Sequence, residues 1–223
     1  MATQTITPDK DALKRVGARV RTALDAHPNA LKLPTDGAEI YAVSRFLDPQ
    51  ECQRFIMMIE ATARPSEAYE TEYASGFRTS YSGNVDPHDA FVKDISARID
   101  ETLGLKAPLG ESIQGQRYHP GQQFKPHQDY FHTSQEYWKN ERKMGGQRSW
   151  TAMAFLNSVT KGGATEFTDL KLKVAPQPGA LLIWNNALPD GTPNERTMHA
   201  GRPVEEGVKY VITKWYRTRK WGH

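Results

Sequence analysis

From residue 112 onward the chain is cut into short β-prone runs, and this limits its fold more than any other feature. The runs "SIQGQRY", "SWTAMAFL", "LKLKVAP", "GALLIWNN" and "KYVITKWYR" follow one another, separated by stretches such as "VTKGGATEF", "PQPGA" and "LPDGTPNE". Many short strands with Gly, Pro, Asn and Asp between them suit a β-barrel or jelly roll. The earlier part reads differently. Leu13, Val16, Val20 and Leu24 recur at helical spacing, with Asp9 or Asp11 as the cap. After the short strand "EIYAVSRFL", "DPQECQRFIMMIEATA" predicts a helix capped by Asp48, with Pro49 in its first turn. "DAFVKDISARIDETLG" predicts another, with Phe91, Ile95, Ile99 and Leu103 on one face and Gly104 as its stop. The expectation is a mainly β protein with flanking helices (α+β). One domain spans 1–223, with helical support over 1–110 and a β core over 111–220.

Composition narrows the function classes. Hydrophobic residues make up 38% and charged residues 25%, as in globular proteins. The net charge is +3 and the pI about 8.9, with basic residues gathered near both ends and no RNA-binding signature between them. No nucleic-acid partner is expected, and the basic "RTRKW" reads as a solvated terminus. Cys52 is the only cysteine, which excludes an internal disulfide and a four-thiolate zinc site. No segment approaches the ~20 apolar residues needed to span a bilayer, and the N-terminal stretch lacks the apolar core of a secretory signal. The reading is a cytoplasmic protein with no membrane partner.

The stretch "YHPGQQFKPHQDYF" carries the chemistry. Along a strand, residues i and i+2 share a face, so His127 and Asp129 can reach one ion together. A lone H-x-D pair is weak, and a third ligand decides its meaning. Of seven histidines, His199 in "TMHAGRPV" stands out: it lies 72 positions after His127, between two strand candidates. Two histidines and a carboxylate on one side of an ion form the facial triad of non-haem Fe(II) oxygenases, with zinc hydrolysis as the chemical alternative. Lys209 shares a strand face with Val211, Thr213 and Trp215. Either it is buried and needs an anionic partner, or it faces solvent while Tyr210, Ile212 and Tyr216 face the core.

Taken in order, "YHPGQQFKPHQDYF", "GGQRSWTAMAFLNSVTKGGATEF", "VAPQPGALLIWNN" and "DGTPNERTMHAGRPVEEGVKYVITKWYR" resemble the prolyl 4-hydroxylase branch of the 2-oxoglutarate-dependent Fe(II) dioxygenases, over about half the chain. "SRFLDPQECQRFI" and "FRTSYSG" look like the family's early elements more weakly. The resemblance implies a double-stranded β-helix (jelly-roll) core. It makes His127, Asp129 and His199 the iron ligands and pairs Lys209 with the far carboxylate of 2-oxoglutarate. Tyr118 and Thr165 would line the co-substrate pocket, Trp215 would pack beside it, and Arg148 would lie on the substrate side. The matching "DGTPNERTMH" loop carries Asn194 where an acidic residue is frequent, at a position that is not a ligand.

The implied cofactors are Fe(II), 2-oxoglutarate and dioxygen, with ascorbate as an accessory reductant. The implied reaction hydroxylates an unactivated C–H bond, giving succinate and carbon dioxide. Its first-choice target is C4 of a prolyl residue in a protein or peptide, enclosed by a loop at Arg78–Gly83 and a long loop over 132–147. A free amino acid or small metabolite is the alternative substrate, and a non-catalytic ligand-binding module the alternative function. A homodimer stays open.

Overall fold

The computed structural model describes residues 9–66 and 76–222. In chain order the elements are α1 (Lys10–Ala26), β1 (Ala30–Lys32), β2 (Ile40–Val43), α2 (Pro49–Thr62), β3 (Arg64–Pro65), β4 (Tyr81–Asn84), α3 (Ala90–Thr102), β5 (Gln114–Tyr118) and β6 (Phe124–His127). There follow α4 (Trp138–Glu141), β7 (Arg148–Phe155), β8 (Lys161–Gly162), β9 (Thr165–Phe167), β10 (Leu172–Val174), β11 (Leu181–Asn185), β12 (His199–Gly201), β13 (Val204–Glu206) and β14 (Lys209–Arg217).

Eight strands form a major sheet in the order β1-β2-β11-β7-β14-β5-β4-β3, and four form a minor sheet in the order β10-β9-β12-β6. Strand alternation splits the core in two. Trp150, Ala152 and Ala154 of β7 face the helices, while Met153 and Phe155 face the minor sheet. This is a double-stranded β-helix flanked by helices, as expected. Its major sheet also draws on the N-terminal part, since β1 to β4 all lie before residue 85.

The helices form where periodicity and caps place them. The Asp48 carboxylate accepts from the Glu51 amide at 2.8 Å, and the Glu51 carboxylate accepts from the Asp48 amide at 2.9 Å, a complete capping box. Asp89 caps α3 by accepting from the Phe91 and Val92 amides. Leu13, Val20 and Leu24 of α1, Phe55 and Ile59 of α2, and Val92, Ile95 and Ile99 of α3 are buried against the sheet. Gly83 and Gly115 let α2 approach: a Cβ on Gly83 would stand 2.6 Å from the Ile59 Cα.

Three expectations need correction and a fourth gains detail. Asp9 precedes α1 with φ at 67° but does not cap it; its carboxylate accepts from the Gln147 amide and the Thr218 hydroxyl and pairs with Arg219, tying the helix start to the far end of the chain. The expected loop at Arg78–Gly83 is loop only in its first half, because β4 pairs with β5 from Tyr81 to Asn84. The segment 132–147 is mostly turns beside the site, as expected, but it is anchored by the short α4, whose buried Glu141 pairs with buried Arg217 at 2.6 Å. Finally, β6 ends at His127, so Asp129 lies beyond the strand.

Candidate active site

His127 and His199 are brought together by strand pairing. β6 and β12 are antiparallel, with His127 and His199 directly in register. Each imidazole is fixed from behind: Nδ1 of His127 bonds the Lys125 carbonyl at 2.8 Å, and Nδ1 of His199 bonds the Thr197 carbonyl at 2.9 Å. These bonds make Nδ1 the protonated nitrogen and leave Nε2 as a lone-pair donor on the open side. Phe124 stacks on His127 at 3.5 Å, and Trp184 meets His199 edge-on at 4.8 Å.

Asp129 arrives by a different route from the one the i, i+2 rule implies. Past the end of β6 the chain bends, and the carboxylate turns to the major sheet, where it accepts from the Thr151 hydroxyl at 2.7 Å. Its oxygens stand 4.0 Å from Nε2 of His127 and 3.7 Å from Nε2 of His199. One ligand atom from each of the three residues falls within 4.8 Å of the others, a spacing able to hold one ion. Burial, with His199 beside it, pushes His127 down to about 3, so its imidazole is neutral and ready to ligate. Burial raises Asp129, but the two histidines, Arg148 and the Thr151 hydroxyl outweigh it and hold the carboxyl below its ordinary value. Two neutral nitrogens and one anion fit Fe(II).

Behind the three ligands a narrow inner cavity enters the barrel. Tyr118, Thr165, Lys209 and Trp215 all line it with the triad, so seven of the eight residues singled out from sequence converge. Lys209 is 2% exposed, which resolves its orientation toward the interior. Among the described residues it has no carboxylate partner: Nζ donates to Thr165 Oγ1 at 3.4 Å and stands over the Tyr118 and Phe155 rings. Burial alone brings it down to about 7. The buried indole N–H groups of Trp184 and Trp215, both on the cavity wall, also lack acceptors. A buried cation with two unsatisfied donors nearby fits an oxygen-rich anion such as 2-oxoglutarate.

Arg148 sits apart, in a larger outer cavity of about 560 Å³ that opens onto His127 and Asp129. It is no free surface charge. It makes a two-pronged ion pair with Glu111 at 2.7 and 2.8 Å and lies over the rings of Trp215 and Phe131. Burial works against the Glu111 charge, yet Arg148 and Arg217 together hold that carboxyl below its ordinary value.

Sequence reasoning missed Thr151, Asn186 and Gln147. Asn186 donates to Thr151 Oγ1 at 3.0 Å, and the Gln147 side chain clasps both the N–H and C=O of Phe131, two residues past Asp129. The one available signal was a threonine at an inward position of the apolar run "SWTAMAFL".

The model of the 2OG-Fe(II) oxygenase superfamily matches residues 113–217, the span from β5 to β14. Probable prolyl 4-hydroxylase 4 of Arabidopsis thaliana is 29% identical over 215 residues, covering 85% of this chain and 70% of that protein. A viral collagen prolyl hydroxylase from Paramecium Bursaria Chlorella virus-1, solved with 2OG, shares the fold with a TM-score of 0.62 at 24% identity, over 79% of this chain and 94% of that one. Probable prolyl 4-hydroxylase 3 of Arabidopsis thaliana is 31% identical over 201 residues, covering 78% of this chain and 68% of the relative. At that identity and coverage the affiliation is plain: the chain belongs to the prolyl 4-hydroxylases of the 2OG-Fe(II) oxygenase superfamily, oxidoreductases that use Fe(II) and 2-oxoglutarate.

Proposed function

We propose that this protein hydroxylates C4 of a prolyl residue within a protein or peptide, and that His127, Asp129 and His199 hold its Fe(II). The observation that carries the substrate reading is the outer cavity. It is partly open, with His127 and Asp129 on its wall, and its lining runs past Arg148 to Asn84 of β4 and Pro65 of the edge strand β3. That shape suits a chain passing through better than a sealed pocket for a free amino acid. The names of the relatives, prolyl 4-hydroxylases, support the same target.

When bound, Fe(II) and 2-oxoglutarate supply oxygen activation coupled to oxidative decarboxylation. The protein's part is orientation and exclusion. Lys209 and Thr165 would take the far carboxylate of the co-substrate, with the indole N–H groups of Trp184 and Trp215 as further donors on that wall. Tyr118, whose hydroxyl donates to Gln116, would close one side. Arg148, held by Glu111 and flattened on Trp215, would form the wall between co-substrate and polypeptide. A cytoplasmic setting is supported by Cys52 being the only cysteine, and no helix among the described residues is long and apolar enough to cross a membrane.

The test is direct. Anaerobic addition of Fe(II) and then 2-oxoglutarate should give a visible charge-transfer band in the wild type and none in Asp129→Ala. Prolyl peptides should then gain one oxygen with stoichiometric succinate. Succinate release stimulated by free proline and not by any prolyl peptide would overturn the substrate reading.

A further inference from the structure

Three buried side chains form a relay toward the site. Asn186 and Thr151 are 1% and 0% exposed, and neither touches either histidine through a hydrogen bond. The direction of the relay follows from hydrogen counting. A threonine hydroxyl has one hydrogen, and here its oxygen receives the Asn186 Nδ2–H, so the hydrogen goes to Oδ2 of Asp129. Turning the Asn186 amide over would draw that hydrogen away and leave two acceptors, Thr151 and Asp129, facing each other at 2.7 Å. The Asn186 main chain is held on both sides: its N–H donates to the Ser149 carbonyl, and its carbonyl accepts from the Asn194 amide; its side-chain Oδ1 is buried with no partner among the described residues.

We infer that Thr151, oriented by Asn186, is a positioning residue that commits one oxygen of Asp129 to the protein and leaves the other to bind the metal. This rests on the metal assignment proposed above. Its consequence is a matter of counting. An ion held by three protein donors keeps its remaining positions open, and a bidentate 2-oxo acid and dioxygen would both need them. An Asp129 free to bind through both oxygens would take a position the co-substrate or oxygen needs. The relay therefore acts on co-substrate binding more than on metal retention, the reverse of what loss of a ligand or a loosened fold would do.

The variants are Thr151→Val, nearly the same size without the hydroxyl, and Thr151→Ser, which keeps it. Each is loaded anaerobically with Fe(II), and metal affinity, 2-oxoglutarate affinity and the infrared carboxylate stretches are measured. In Thr151→Val, 2-oxoglutarate affinity should fall about tenfold or more, and by a larger factor than Fe(II) affinity, whose loss stays below the roughly tenfold that is the low end for removing an outer partner of a metal ligand. The antisymmetric and symmetric stretches of the ligating carboxylate should draw closer, the mark of two-oxygen binding. Thr151→Ser should match wild type. If Thr151→Val does not fold, Asn186→Leu, which removes only the orienting donor, should shift the same two readouts in the same direction. Unchanged 2-oxoglutarate affinity and carboxylate splitting in a folded variant overturn the inference alone. A wild type that binds neither Fe(II) nor 2-oxoglutarate overturns the metal assignment and the inference with it.

Discussion

Lys209 and Lys214 lie five positions apart on one strand, and both are 2% exposed. The odd spacing puts them on opposite faces of the major sheet. Under the helices, Lys214 donates to Asp100 at 2.5 Å and to the Ser96 hydroxyl at 2.7 Å, and the Tyr216 hydroxyl donates to the same Asp100 oxygen at 2.6 Å. Inside the barrel, Lys209 has a threonine hydroxyl at 3.4 Å and two aromatic faces. Burial lowers both ammonium groups; Asp100 works against that lowering at Lys214, and no carboxylate among the described residues does so at Lys209. The same residue type at equal depth thus has two meanings. A buried charge with its counter-ion built in is architecture, and one with none among the described residues suits the co-substrate role proposed for Lys209.

The largest expected effect breaks the first half of that contrast. Lys214→Met strands Asp100 beneath α3 and should cost about 3–5 kcal/mol in a urea titration, while the 2-oxoglutarate KM of the folded enzyme stays put. Lys209→Met should do the opposite. It should raise the 2-oxoglutarate KM by about 30-fold or more, the cost of leaving a buried charge pair half made, with Fe(II) affinity little changed. Equal KM values for the two variants would erase the distinction.

The pH dependence sharpens it. Only the charged Lys209 can pair with a carboxylate, and burial lowers its pKa to about 7. Affinity for 2-oxoglutarate should therefore fall about tenfold per unit above pH 7 in wild type, and the slope should disappear in Lys209→Arg. Stability runs the other way. Between about 7 and the ordinary 10.5 the folded chain binds fewer protons at this site than the unfolded chain. The penalty for burying Lys209 is thus full below pH 7 and relieved as the pH rises. The gap in urea midpoint between Lys209→Met and wild type should narrow from pH 7 to 10. Smallest of all, replacing Lys214, Asp100 and Tyr216 together by Met, Leu and Phe should be close to neutral, because the Tyr216 hydroxyl that donates to Asp100 goes with the pair and a buried pair is weak evidence for net stability.

How much of this was legible in the sequence differs from residue to residue. Asp48 with Pro49, and Ile95 with Ile99, announce helices because caps and periodicity are local. The triad was legible because two short motifs, 72 positions apart, each carry recognisable ligand chemistry. Lys209 was not decidable, since both faces of β14 are apolar and only the packed sheet shows which one meets an anion-sized gap. Thr151 and Asn186 were invisible for a related reason: their role exists only once Asp129 leaves β6 and crosses to β7. Asp100 gave a faint sign, an acid on the core-facing side of α3 beside Ile95 and Ile99, but its partners Lys214 and Tyr216 lie more than a hundred residues on.

The strand order carries one more consequence, for the timing of assembly. β14 lies between β7 and β5 in the major sheet, pairing with both along most of its length. During synthesis everything that β14 separates is made before it, so the two halves of the sheet wait with their edges unpaired until residues 209–217 emerge. Such an order delays cooperative closure until late and leaves open strand edges in the meantime. A ribosome paused before residue 209 would hold a chain that already contains His127, Asp129 and His199 but lacks the strand that joins the two halves of the barrel.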